Sequence, residues 1–175
     1  KKFAVAAVNF GASCTRFITA AGDSISVPEG TAHFLEHKLF EQPDFNVSER
    51  LAALGADSNA GTSFGRTVYY FKTTENFEEC FRILLGFVTN PYITDESVEK
   101  EKGIICREIK MYEDSPEYAA SMNLFRAMYH NNPVRNEIAG TVESVKATDR
   151  ETLELCYRNF YCPSNMVVTV SGDVD

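Results

Sequence analysis

Residues 30–41 read GTAHFLEHKLFE. Two of the chain's three histidines, His33 and His37, stand four apart in this stretch, with Glu36 beside the second. Placed on a helix with Ala32 at zero, Glu36 falls near ~40°, His33 near ~100° and His37 near ~140°. Leu35 and Leu39 fall near ~300° and ~340°. Ala32, Leu35 and Leu39 then form an apolar stripe for a core, and His33, Glu36 and His37 share the neighbouring face. Two imidazoles at i and i+4 can aim at one cation, which is why that spacing binds zinc. A carboxylate beside them need not be a ligand. It can take a proton from a metal-polarised water and act as a general base.

The alternative is two exposed histidines on an amphipathic helix. Three fixed positions coincide by accident in roughly a few of every thousand chains of this length, so the metal reading outweighs it. His-x-x-Glu-His is also the order of residues in the inverzincins, the reverse of the HExxH pattern.

The flanks give the fold. Pro28-Glu29-Gly30-Thr31 reads as the entry to the histidine helix, and Gln42-Pro43-Asp44 ends it. Upstream, FAVAAVNF (3–10) alternates as a strand. The two lysines and short apolar run at the start resemble a leader, but the run breaks at Asn9, so a strand is the better reading. Downstream, NVSERLAALGA (46–56) reads as a short helix stopped at Gly55. Residues 57–63 and 66–74 read as antiparallel strands around Phe64-Gly65. Residues 76–90 carry a helical apolar stripe. A helix follows from Thr94-Asp95-Glu96 to about Glu113, and another from Ser115-Pro116 to about His130. Residues 131–140 read as loop. Thr148-Asp149-Arg150-Glu151 reads as a capping box for a helix ending near Tyr161, and MVVTVSG (166–172) as a last strand. The expected fold is α+β: one two-layer domain over 1–175, a mostly antiparallel sheet packed against helices.

Catalytic zinc usually has three protein ligands and a water. Glu101 and Glu108 lie seven apart on one helix face, among Ile104, Ile105 and Ile109. A carboxylate in that setting is costly to bury without a partner, and zinc would be such a partner. The other reading is a solvated face paired with Lys100, Lys102, Arg107 and Lys110. Composition leaves these two close.

A net charge of −8 argues against nucleic acid as a partner; plain solubility is the preferred reading of it, ahead of a hint of basic peptides. The five cysteines, Cys14, Cys80, Cys106, Cys156 and Cys162, are odd in number and without CxxC spacing. They suggest buried thiols in a reducing compartment rather than metal ligands. No apolar run approaches the roughly 18 residues of a membrane span.

The chain resembles the pitrilysin-like zinc peptidases, which include insulin-degrading enzyme and mitochondrial processing peptidase. The segments that carry the resemblance come in family order: GTAHFLEHKLFE (30–41), SNAGTSFGRTVYYF (58–71), VEKEKGIICREIKMYEDSP (98–116), IAGTVESV (138–145) and YRNFYCPSNMVVTVSGDVD (157–175). They look most like those of bacterial, cytosolic processing-protease members.

The resemblance implies the metalloprotease fold of the processing peptidases and a Zn2+ cofactor. It implies Glu108 as the third metal ligand with His33 and His37, since the family's glutamate follows an apolar pair and a basic residue. Its distance from His37, 108 − 37 = 71 residues, is short for the family and fits a trimmed loop after Phe40. Glu36 matches the catalytic base, and Glu101 an outer carboxylate that orients a ligand or the water. Asn59, Ala60 and Thr62 match an edge strand that binds an extended peptide, whereas Tyr69, Tyr70 and Phe71 read as packing.

Family members also have a second, similar half that supplies an arginine and a tyrosine. The chain, which starts without Met, is therefore expected to be the catalytic amino-terminal half of a longer one, paired with a homologous half or subunit. Two other readings stand beside a zinc metalloendopeptidase: a non-catalytic peptide-binding subunit, and a zinc hydrolase with a non-peptide substrate.

Overall fold

The computed structural model describes residues 1–174; Asp175, the last residue of the expected domain, lies outside them. β1 (Lys2–Val8) alternates so that Ala4, Ala6 and Val8 are buried. β5 (Thr67–Thr73) does the same with Thr67, Tyr69, Phe71 and Thr73. The antiparallel register sets Ala4 opposite Phe71 and Ala6 opposite Tyr69, so small residues on one strand face rings on the next. β6 (Met166–Gly172) pairs antiparallel with β1, and β4 (Asp57–Thr62) with β5. The sheet order is β4-β5-β1-β6, which leaves β4 on one edge and β6 on the other.

The helices are α1 (Thr31–Phe40), α2 (Val47–Ala53), α3 (Phe77–Thr89), α4 (Asp95–Glu113), α5 (Pro116–Met128), α6 (Val142–Ala147) and α7 (Arg150–Phe160). α1 packs on β5 and α3 on β1 and β5, the strands that bury Ala4, Ala6, Val8, Tyr69 and Phe71; α4 and α7 lie against α1, and α5 and α6 against α4. α1 lies deepest. It touches α3, α4, α7, β4 and β5, and buries Phe34 and Lys38 as well as the expected Ala32, Leu35 and Leu39. A stripe with one solvated side therefore understates this helix. It opens without a side-chain cap at Gly30, whose φ is +82°. A Cβ built on Gly30 would sit 2.3 Å from the carbonyl oxygen of Ala139. Only glycine tolerates both conditions, and backbone contact at this point fixes where α1 begins.

A hairpin and a short helix escaped the sequence reading. β2 (Arg16–Ile18) and β3 (Ser24–Ser26) form a separate hairpin of three-residue strands, too short to show a period. The six-residue α6 is closed at its start by a reciprocal pair, Thr141 with Ser144. This changes the expected capping box. Thr148 finishes α6, its hydroxyl donating to the Ser144 carbonyl at 3.0 Å. Asp149 alone caps α7, accepting from the Thr152 amide at 2.8 Å.

The five cysteines are unpaired, with Cys80 and Cys156 buried. Among the described residues no helix is long and apolar enough to cross a membrane.

Candidate metal centre

α1 and α4 bring five chemical groups together. His33, Glu36 and His37 come from one face of α1, and Glu101 and Glu108 from α4. His37 Nε2 lies 3.3 Å from Glu108 Oε2, and His33 Nε2 lies 3.6 Å from Glu108 Oε1. One ligand atom from each of these three residues can be chosen so that all lie within 4.8 Å of one another. Zinc bonds of about 2.0–2.1 Å in tetrahedral geometry place ligand atoms roughly 3.3 Å apart. The three side chains thus fit a zinc ion by donor type and by separation.

The surroundings also fit a cation. His37 Nδ1 meets Glu101 Oε1 at 2.9 Å. With the proton on Nδ1, Nε2 is left with its lone pair facing the cluster; a carboxylate behind an imidazole is the usual outer support of a metal-binding histidine. Burial works to lower the His37 imidazole, but the Glu101 and Glu108 carboxylates override it and raise it to about 10. The facing His33 and His37 imidazoles hold Glu108 far below the usual carboxylate range. Both directions say that this point favours a positive charge. His33 has no matching support: its Nδ1 is buried without a hydrogen-bond partner among the described residues.

Glu101 is 8% exposed and pairs with an imidazole rather than with the nearby lysines. Lys100 goes to Glu41 and Lys102 to Glu99. The solvated-face reading therefore fails for Glu101 and Glu108.

Glu36 is nearly buried, and its Oε2 accepts from the Thr62 hydroxyl at 2.9 Å. Thr67 sits 3.3 Å behind Thr62 and donates to the Phe10 carbonyl at 2.9 Å. Each hydroxyl has one proton and both are committed, so Thr62 is tied to Glu36. Asn59 and Ala60 line the same cavity, of about 720 Å³. The Ala60 amide donates to Asn59 Oδ1 at 2.8 Å, so the edge strand covers one of its own amides. Tyr69 and Tyr161 share a buried hydroxyl contact of 2.7 Å, and burial raises both phenols; Tyr69 is packing, as expected.

The sequence reading missed two features of the site. Tyr112 donates to Glu108 Oε1 at 2.8 Å; its position one turn after Glu108 was the available signal. Burial, and then its bond to Glu108, push its phenol up to about 12. Lys38, fully buried at the end of α1, pairs with Glu41, which also meets Lys100.

Together these features define a class: an α+β domain whose His-x-x-Glu-His helix meets a distant glutamate beside a sheet edge. The chain belongs to Peptidase family M16, the insulinase family, whose model matches residues 26–142. It is 45% identical to the uncharacterized zinc protease YmfH of Bacillus subtilis, over all of this chain and 41% of the relative. It is 49% identical to an M16-like peptidase of Alicyclobacillus acidocaldarius, with a TM-score of 0.95, over 99% of this chain and 41% of that one. A peptidase M16 inactive domain from Pseudomonas fluorescens shares the fold, with a TM-score of 0.80 at 19% identity over 99% of this chain and 42% of that one. The chain thus spans about two fifths of the length of these proteins.

Proposed function

We propose that residues 1–175 are the catalytic amino-terminal unit of a zinc metalloendopeptidase that cleaves peptides or short unfolded segments. The observation that carries this reading is the convergence of His33, His37 and Glu108 within 4.8 Å, with Glu36 on the same helix. In this reading those three residues hold Zn2+. When bound, zinc would supply a more acidic water and polarisation of the scissile carbonyl.

The chain's own residues do the rest. Glu36 takes the proton of the attacking water and passes it to the leaving amine. Thr62 holds one Glu36 oxygen, leaving the other for that proton. Glu101 keeps the His37 ring in one tautomer and orientation. The free edge of β4 takes an extended peptide by strand addition. Asn59 and Ala60 make that contact, with the Asn59 side chain giving up the Ala60 amide to the incoming backbone.

The relatives' greater length supports a second, homologous half or subunit that completes the site. The unpaired cysteines support a cytoplasmic location.

A non-catalytic, peptide-binding role is the second reading, favoured by the likeness to a domain described as inactive. The intact His33, Glu36, His37 and Glu108 weigh against it. The test is Glu36→Gln in the protein at its full natural length. It should keep one equivalent of zinc and lose chelator-sensitive cleavage of a quenched peptide by about 10²–10⁴-fold. Retained cleavage refutes the role of Glu36. No cleavage by the parent protein, with zinc bound, favours the binding role.

A further inference from the structure

Glu108 is held from a second side. Tyr112 follows it by one helical turn and donates its phenol proton to Glu108 Oε1 at 2.8 Å. The ionised carboxylate only accepts, so the direction of this bond is fixed. A glutamate's last torsion is broad when nothing restrains it. Here the Tyr112 bond fixes Oε1 while Oε2 faces His37 Nε2 at 3.3 Å.

Tyr112 is itself held. Its ring stacks on Tyr118 of α5, with centroids 5.0 Å apart and planes 22° apart. The Tyr118 hydroxyl is committed to Glu137, and Arg126 pairs with the same carboxylate. α4, α5 and the segment before Gly140 therefore set where the phenol stands.

We infer that Tyr112 is a positioning residue: it holds the Glu108 carboxylate in the orientation that completes the His33–His37–Glu108 set, and so strengthens the binding of a divalent cation. The inference rests on the proposed reading of that set as a zinc site. Residues that support a metal ligand through one bond change metal affinity by about tenfold or more.

The test is zinc alone, titrated in competition with a chromophoric chelator into the protein at its full natural length. Four proteins are compared: the parent, Tyr112→Phe, Glu108→Ala, and the double variant. Tyr112→Phe keeps the ring and its stack on Tyr118, and removes only the hydroxyl. The expected result is one equivalent of zinc in the parent and about tenfold weaker binding in Tyr112→Phe. In the Glu108→Ala background the Tyr112 change should have no further effect, because its acceptor is gone.

Equal affinity in the parent and Tyr112→Phe overturns the inference and leaves the zinc site standing. Equal weakening in both backgrounds also overturns it, since Tyr112 would then act on the fold and not through Glu108. A parent that takes up no zinc removes the zinc reading, and the inference with it.

Discussion

Lys38 and Glu41 should respond to substitution very differently. The Lys38 side chain is 0% exposed, while that of Glu41 is 28% exposed and has a second cation, Lys100, at 3.2 Å. Glu41→Gln strands a buried ammonium. Breaking a buried pair in this way costs about 3–5 kcal/mol. The lower end, about 3 kcal/mol, applies because the amide oxygen can still accept one bond. Lys38→Met instead removes the group that is expensive to desolvate and leaves a side chain of similar volume. Glu41 then keeps Lys100 and its access to water, so the change should stay within about 1 kcal/mol. The assay is urea unfolding of the 175-residue chain, with a difference of about 2 kcal/mol or more between the variants. pH provides a check of sign. Burial alone would raise Glu41, but its bonds from Lys38 and Lys100 hold it below its ordinary 4.5. A carboxylate lowered on folding stabilises above its unfolded pKa and loses that contribution as pH falls through the folded value. The gap between parent and Glu41→Gln should therefore be full above pH 4.5 and shrink below it. If Lys38→Met costs as much as Glu41→Gln, the ammonium itself stabilises the end of α1, and the desolvation argument is wrong.

Gly30→Ala should destabilise the chain by about 3 kcal/mol or more, since it combines a left-handed φ with a 2.3 Å approach to Ala139. Gly55→Ala, at φ +79° with open space around it, should cost only about 1–2 kcal/mol; thermal unfolding would compare them, and equal shifts would refute the backbone contact. Thr62→Val should lower kcat by about 10–10²-fold with KM and zinc content unchanged, because a hydrogen bond to a charged group is worth about 1.5–3 kcal/mol. Thr62→Ser should restore kcat, whereas a rise in KM alone would make Thr62 a substrate contact.

Period decided how much of the site was legible in the sequence. The 3.6-residue repeat put His33, Glu36 and His37 on one face before any neighbour was known, because those angles are local. Nothing local joined Glu108 to them. Its distance along the chain is closed only by packing α4 on α1, and the family resemblance supplied that partner. Lys38 shows the same limit: the wheel places it beside Phe34, yet its burial follows from five elements meeting around α1.

Thr62 is a different case, because its signal was present. Asn59, Ala60 and Thr62 were read together as one peptide-binding strand, but a strand alternates. The register sets Ala60 opposite Tyr69 and Thr62 opposite Thr67, on the face turned to the helices, and Asn59 opposite Tyr70 on the other face. Period two alone separates Thr62 from Asn59, and the register then turns the Thr62 hydroxyl toward α1. Which residue of α1 receives it is again a question of packing, and the answer, Glu36, is the one that gives the Thr62 substitutions their value.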